Sequence, residues 1–282
     1  MSRLRKDLHE QNRLSWNAAT VAHNSHKRDQ AGFLRSGGST LYPEEIALLG
    51  DLRGKKLCHL QCNSGQDTLS LAARGAEVTG VDISDEAIAF ATKLSADSGV
   101  PGTFQRADVF DWLEAADPSS FDVVFCSYGA LMWLSDLVPW GAGIAKILRP
   151  DGRFVVVEAH PTMMMFGEDL SLKYEYGGGA LVQDPGVHDY VAGAGTSLTP
   201  MGYEEGVVDF KNPHPDASFQ WGLAEITGAL TGADLVIERF TEYPFTRWKA
   251  FPAQITAPDG NFYLPPGTPQ IPMMFGLVAA RR

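Results

Sequence analysis

The chain has 282 residues, a formal net charge of −11 and no apolar run near the length of a membrane helix. That acidity argues against a nucleic-acid partner, which needs clustered Lys and Arg, and against an anionic membrane surface. Its 44% apolar and 20% charged content is ordinary for a globular protein, and its three cysteines, Cys58, Cys62 and Cys126, suit the reduced thiols of a cytoplasmic protein better than a disulfide framework.

In chain order, Leu8–Asp29 reads as a polar helical arm carrying Trp16, with His23, His26, Lys27 and Arg28 expected on a solvated face. The start, Met1–Gln30, has no apolar core like that of a signal peptide. Ser36-Gly37-Gly38-Ser39 breaks the arm, and Pro43–Leu49 follows as a short helix with its proline near the start. An alternating pattern then begins. Strands are expected at Lys56–Gln61, Glu77–Val81, Thr103–Arg106, Phe121–Cys126 and Arg153–Ala159, with helices at Asp67–Arg74, Asp85–Ser98, Val109–Ala116 and Trp140–Leu148. Ser84 is placed to cap the second of these helices, and Pro150-Asp151-Gly152 to turn the chain into the fifth strand.

Pro161–Gln220 breaks the rhythm. It is rich in Gly, Pro, Met and aromatic residues, and it reads as an inserted lid with short antiparallel strands of its own. A helix at Leu223–Leu230 and strands at Leu235–Tyr243 and Met273–Ala279 complete the chain. With no long helix between them, the last two strands are expected to pair antiparallel. The alternation as a whole predicts an α/β fold built on a doubly wound, mostly parallel sheet. Its parts are an arm over residues 1–50, a core over 51–160 and 221–282, and a lid over 161–220.

Lys56–Asp82 carries the most chemistry. It reads as strand, tight turn Cys62-Asn63-Ser64-Gly65-Gln66, helix, strand and acid. In such a unit the turn lets a ligand approach the helix N-terminus, and the closing acid can hold both hydroxyls of a ribose. A nucleoside-containing cofactor is implied. A nicotinamide dinucleotide would want Gly-x-Gly-x-x-Gly, which this turn lacks. Cys58 and Cys62 make at most half of a zinc site, so no metal is expected.

The chain resembles the class I S-adenosylmethionine-dependent methyltransferases, strongly over Leu52–Pro161 and more weakly over Leu223–Ala280. Leu57–Gly65 resembles the family's first motif, whose turn cradles the methionine part of the cofactor. Asp82 matches the acid that grips the ribose, and Ala107-Asp108-Val109 resembles the adenine site, with an accepting acid and a donating backbone N–H. Phe121–Cys126 looks like strand four, and Leu148–Arg153 like the turn before strand five. The resemblance implies a seven-stranded Rossmann-like sheet, S-adenosylmethionine as cofactor, and further cofactor contacts from Ile83 and Ser127. The first motif departs from the family. His59 stands near its usual acid, Gln61 and Asn63 stand at its glycines, and Gly65 alone remains of that set. His59 and Gln61 can still hydrogen-bond the cofactor's charged end, and Asn tolerates a left-handed backbone.

Methyl transfer from a sulfonium is an in-line displacement, so positioning and exclusion of water supply much of the rate. The turn Ser127–Trp133 should lie beside the transferred methyl, where Tyr128 can orient an acceptor and Trp133 can wall it. His160, just past strand five, and His188 in the insert are candidate bases because imidazole titrates near neutral pH. Trp16 and Tyr190 are candidate substrate contacts, against the alternative that each merely packs. The reading is a monomeric or homodimeric enzyme that methylates nitrogen or oxygen of a small, enclosed acceptor. The alternative is a protein that binds the cofactor or its product without catalysis.

Overall fold

The computed structural model describes residues 4–282; Met1–Arg3, the start of the expected arm, lie outside the described residues. The elements run α1 (Lys6–Ser25), α2 (Gln30–Arg35), α3 (Pro43–Leu49), β1 (Lys56–Leu60), α4 (Gln66–Ala73), β2 (Glu77–Asp82), α5 (Asp85–Ser98), β3 (Thr103–Arg106), α6 (Val109–Ala115), β4 (Phe121–Ser127), α7 (Leu137–Ile147) and β5 (Leu148–Ala159). The insert contributes β6 (Ala180–Asp184), α8 (Tyr190–Ala194) and β7 (Asp216–Gln220). Then come α9 (Leu223–Thr231), β8 (Leu235–Tyr243), β9 (Phe245–Thr246), β10 (Ile255–Thr256), β11 (Phe262–Tyr263) and β12 (Met274–Arg281).

Seven strands form one sheet in the order β3-β2-β1-β4-β5-β12-β8. Pairing is parallel from β3 through β5, while β12 runs antiparallel between β5 and β8. The chain reverses its direction of winding between β1 and β4, so the crevice beyond their carboxyl ends is where such a sheet binds ligands. Both faces of the sheet are covered. Cys58, Leu60, Val124, Cys126 and Val156 pack on one side with Leu113 of α6, Ile144 of α7 and Leu230 of α9. Leu57, Val123, Phe125 and Val155 pack on the other with Leu48 of α3 and Leu71 of α4. Alternate strand residues serve opposite faces, which is why these strands are apolar throughout. All three cysteines are buried and free.

Local chemistry accounts for several boundaries. The Ser84 side chain accepts from the Ala87 N–H to start α5, and Gly99 ends that helix in a left-handed conformation. Gly65 precedes α4 at φ 77°, where a Cβ would come within 2.6 Å of Ala91 Cβ, so both conformation and space demand glycine.

The structure corrects the sequence reading in four places. After the expected arm, which is α1, comes a helix the sequence reading missed, α2, because the Asp29 side chain accepts from Gly32 N and caps a fresh helix there. His23 and His26 are not on a solvated face: each is only 2% exposed, covered by the insert. Pro150–Gly152 is an excursion within β5, which already pairs with β4 at Leu148 and again from Arg153. Between β8 and β12 lies a three-stranded sheet, β10-β11-β9, that the sequence reading missed. Its strands have two residues each, too few for any periodicity to register.

Within the insert, β6 and β7 pair antiparallel from Ala180–Gln220 to Asp184–Asp216. Asn12 of α1 fastens this pair to the arm. Its side-chain amide donates to Ala217 O and accepts from Ala217 N, both at 2.8 Å. Ser15 Oγ accepts from Val187 N at 2.9 Å. The His26 ring adds a bond to Asp189 Oδ2 at 2.8 Å and stacks on Tyr203. No helix among the described residues is long and apolar enough to cross a membrane.

Candidate active site

The turn after β1 is built on two left-handed residues that are not glycine, Gln61 at φ 56° and Asn63 at φ 47°. Such a backbone costs roughly 1–2 kcal/mol per residue, somewhat less for Asn. Hydrogen bonds to β2 offset it. Cys62 N donates to Val81 O at 3.0 Å, and Asn63 N donates to Asp82 Oδ2 at 2.8 Å. The other oxygen of Asp82 accepts from Ser84 N at 2.8 Å. Asp82 thus holds the turn and the start of α5 together, and each oxygen keeps lone-pair capacity for a further donor. Burial raises its pKa, opposed by these backbone N–H groups. Ile83, half-buried, follows it.

Asp108 caps α6 by accepting from Phe110 N at 2.9 Å, and Val109 opens the helix. Both its oxygens also meet the arm: His9 Nδ1 lies at 2.7 Å and Lys6 Nζ at 2.9 Å. Burial raises the carboxyl, but the bonds from His9 and Lys6 outweigh it and hold its pKa at about 2. An adenine amino group would join three donors already there. His9 and Lys6 carried no sequence signal, being separated from Asp108 by 99 residues or more.

His59 is buried, with Nδ1 at 2.9 Å from Thr68 Oγ1 and Nε2 at 3.5 Å from Ser127 Oγ. Burial lowers its pKa to about 3, so the ring is neutral. Its nitrogens face protein partners. Gln61 is different. Its Nε2 donates to Ala130 O at 2.7 Å, whereas its buried Oε1 has no partner.

Ala130 belongs to the turn after β4, where Tyr128 has φ 21° and Gly129 has φ 77°. The turn is gripped by Glu158, a buried β5 residue that the sequence reading passed over. Its carboxylate accepts from the backbone N–H groups of Gly129, Ala130, Leu131 and Ala159. Burial pushes this carboxyl up and the four donors pull it down. An acid closing the apolar run Phe154–Val157 was the available signal.

The predicted chemical residues fall into three groups. Trp16, Trp133, Tyr190 and His188 come together from the arm, the β4 turn and the insert. Trp16 lies edge-on to Trp133 at 5.5 Å and to Tyr190 at 6.5 Å, and His188 lies edge-on to Tyr190 at 6.0 Å. His23 completes this group, with its ring 4.1 Å from that of Tyr190 and its Nε2 2.9 Å from His188 O. Tyr190 has its pKa raised by burial and by the charges of Asp189, Asp67 and Asp82. Lys27, half-buried beside Asp67 and Asp189, has its pKa lowered to about 8 by burial.

Tyr128 belongs to a second group. Its hydroxyl donates to Glu44 Oε1 at 3.0 Å, and Glu44 pairs with Arg247. Beside them Glu45 is fully buried with Oε1 unpartnered, and burial raises its pKa. His160 stands in a third place. It is 2% exposed, its Nδ1 accepts from Thr162 N at 3.0 Å, and its Nε2 lies 3.0 Å from Glu242 Oε1. With Nδ1 accepting, Nε2 carries the proton and donates to Glu242.

Residues fit for an S-adenosylmethionine molecule are therefore present. Asp82 has spare acceptor capacity, Gly65 leaves the approach to α4 without a side chain, and Gln61 Oε1 lacks a donor. Comparison with known proteins agrees. Residues 58–156 match the methyltransferase domain family. The ubiquinone biosynthesis O-methyltransferase of Burkholderia vietnamiensis is 33% identical over 105 residues, which cover 36% of this chain and 43% of that protein. The match thus spans less than half the length of that relative. An S-adenosylmethionine-dependent methyltransferase structure from Mesorhizobium loti superimposes with a TM-score of 0.55 at 21% identity, covering 87% of this chain and 99% of that one. The geranyl diphosphate C-methyltransferase of Streptomyces coelicolor, solved with S-adenosylhomocysteine, gives 0.51 at 12% identity over 85% and 78% of the two chains. At these identities the two structures establish the fold.

Proposed function

We propose that this chain is a class I S-adenosylmethionine-dependent methyltransferase that moves the cofactor's methyl group to an oxygen or nitrogen of a small, enclosed acceptor. The observation that carries this reading is the meeting of Trp16, Trp133, Tyr190 and His188 beside the turn after β4. Aromatic walls around a reacting pair exclude water and hold an acceptor flat for in-line attack. The relative's name supports oxygen as the atom. Asp82 takes the ribose hydroxyls, Asp108 and Val109 the adenine, and Ser127 and Ile83 flank the cofactor. The arm and the insert form the cover.

An oxygen acceptor has a proton to lose. His160 has both nitrogens in hydrogen bonds, so we assign proton acceptance to His188, whose ring is at the exposed edge of the aromatic group. Tyr128 acts through the shape of its turn. Incubation with a metabolite extract should yield S-adenosylhomocysteine above background, and His188→Ala should lower turnover while leaving cofactor affinity intact. Tight cofactor binding with no turnover in any extract would favour a binding protein instead. Full activity in His188→Ala would remove the base assignment.

A further inference from the structure

A cleft lies between the turn after β4, the end of β5 and the end of the insert, with apolar walls that include Met132, Pro161, Met164, Phe219 and Trp221. It holds about 360 Å³ up to its open mouth, of which about 30 Å³ is now wide enough for a water molecule. Met132 and Met164 are half-buried, and their unbranched, flexible side chains can shift to widen it. Two other lining residues are polar, Glu158 and Gln220. Glu158 is spent: its oxygens accept from four backbone N–H groups, the full capacity of a carboxylate. The indole N–H of Trp221 is spent as well, on Leu134 O at 2.8 Å. Gln220 is only 5% exposed, yet its side-chain amide has no hydrogen-bond partner among the described residues. It is therefore the one lining side chain with both a donor and an acceptor to offer.

The cleft and the aromatic group share the short 3₁₀ helix Leu131–Trp133. With three residues to the turn, Met132 and Trp133 leave that helix in different directions, so a molecule held against Trp133 has the cleft one residue away. The lining selects against charge. An anion would face Glu158, and a cation finds every oxygen of Glu158 already bonded. Burying a charge without a partner costs far more than burying a hydroxyl or carbonyl that has one. On the reading that this chain is a methyltransferase, we infer that the cleft receives the apolar body of the acceptor, and that the acceptor is an uncharged aromatic or alkyl compound with a hydroxyl or carbonyl group paired to the Gln220 amide. The walls give affinity in proportion to the apolar area they cover, and Gln220 fixes the orientation.

Magnetic resonance titrations of the intact chain, isotopically labelled at its methionine methyls and saturated with S-adenosylhomocysteine, test this. The probes are para-alkylphenols from propyl to heptyl, with para-pentylbenzoate and para-pentylbenzylammonium as charged counterparts. The phenols should shift the Met132 and Met164 resonances, identified through Met132→Leu and Met164→Leu, and bind about threefold to fourfold more tightly per added methylene. Both charged probes should bind at least about tenfold more weakly than para-pentylphenol. Gln220→Leu should weaken para-pentylphenol by about fivefold or more and leave S-adenosylhomocysteine affinity unchanged. Gln220→Met carries the same expectation if that variant fails to fold. In a metabolite extract with S-adenosylmethionine, para-heptylphenol should either be methylated or suppress methylation of the extract. Unmoved Met132 and Met164 resonances, charged probes that bind as well as the phenol, full phenol affinity in the Gln220 variants, or an extract turnover that ignores the phenol overturns the inference and leaves the methyltransferase reading intact. Phenol binding in a chain that binds no S-adenosylhomocysteine overturns that reading, and with it the cleft's role for an acceptor.

Discussion

The two turns that flank the crevice are held by different means. The turn after β1 is held largely by nearby backbone: Asn63 N and Ser84 N meet Asp82, and Cys62 N meets Val81 O. All these partners lie within about one strand-turn-helix unit. The turn after β4 is held from a distance, by Glu158 of β5 and Gln61 of the other turn, and its aromatic wall is completed by Trp16 and Tyr190. A cofactor common to a family can be held by local geometry. On the proposed function, the surroundings of the acceptor are assembled from separate parts of the chain.

The hardest blow to the distant arrangement should be Glu158→Ala. It leaves four backbone donors that the carboxylate now satisfies, each costing about 1–3 kcal/mol if it stays dry. Urea denaturation should show a loss of at least about 3 kcal/mol; a loss under 1 kcal/mol would mean that water or a shifted turn replaces the carboxylate. On the local side, Asp82→Ala should weaken cofactor binding by about ten- to a hundredfold, through lost charge-assisted bonds to the ribose. Titration calorimetry on the folded variant reads this, and unchanged affinity would remove the ribose assignment.

Asp108 sharpens the contrast because it touches both sides, as helix cap and as anchor for the arm. Its folded pKa of about 2 lies below the ordinary value of 3.8. It therefore contributes stability that is present above about pH 4 and lost as pH falls towards 2, worth about 2 kcal/mol. The stability gap between wild type and Asp108→Asn should shrink over that window in denaturant titrations at successive pH values. A gap independent of pH would assign the difference to packing alone. The smallest effect belongs to Trp16→Ala. It should raise the acceptor's apparent KM several-fold and speed proteolysis of the insert, with cofactor affinity changed less than twofold. A larger change in cofactor affinity than in KM would place Trp16 over the cofactor instead.

The sequence by itself determined the α/β alternation, Asp82 at the end of β2, Gly65 before α4 and the antiparallel ending. These rest on local causes: side-chain period, capping chemistry and the space beside one glycine. Tertiary structure alone decided which way the histidines face. His59, His160, His23 and His26 read as candidate ligands, bases or a solvated face, yet all four are buried with protein partners. It also decided that Trp16 meets Trp133 and that Asn12 pairs with Ala217, 205 residues away. Such contacts leave no periodic trace in the chain. A hydrogen bond or a ring contact depends on where two distant segments are brought by the sheet, and the spacing of residues along either segment carries no record of the other.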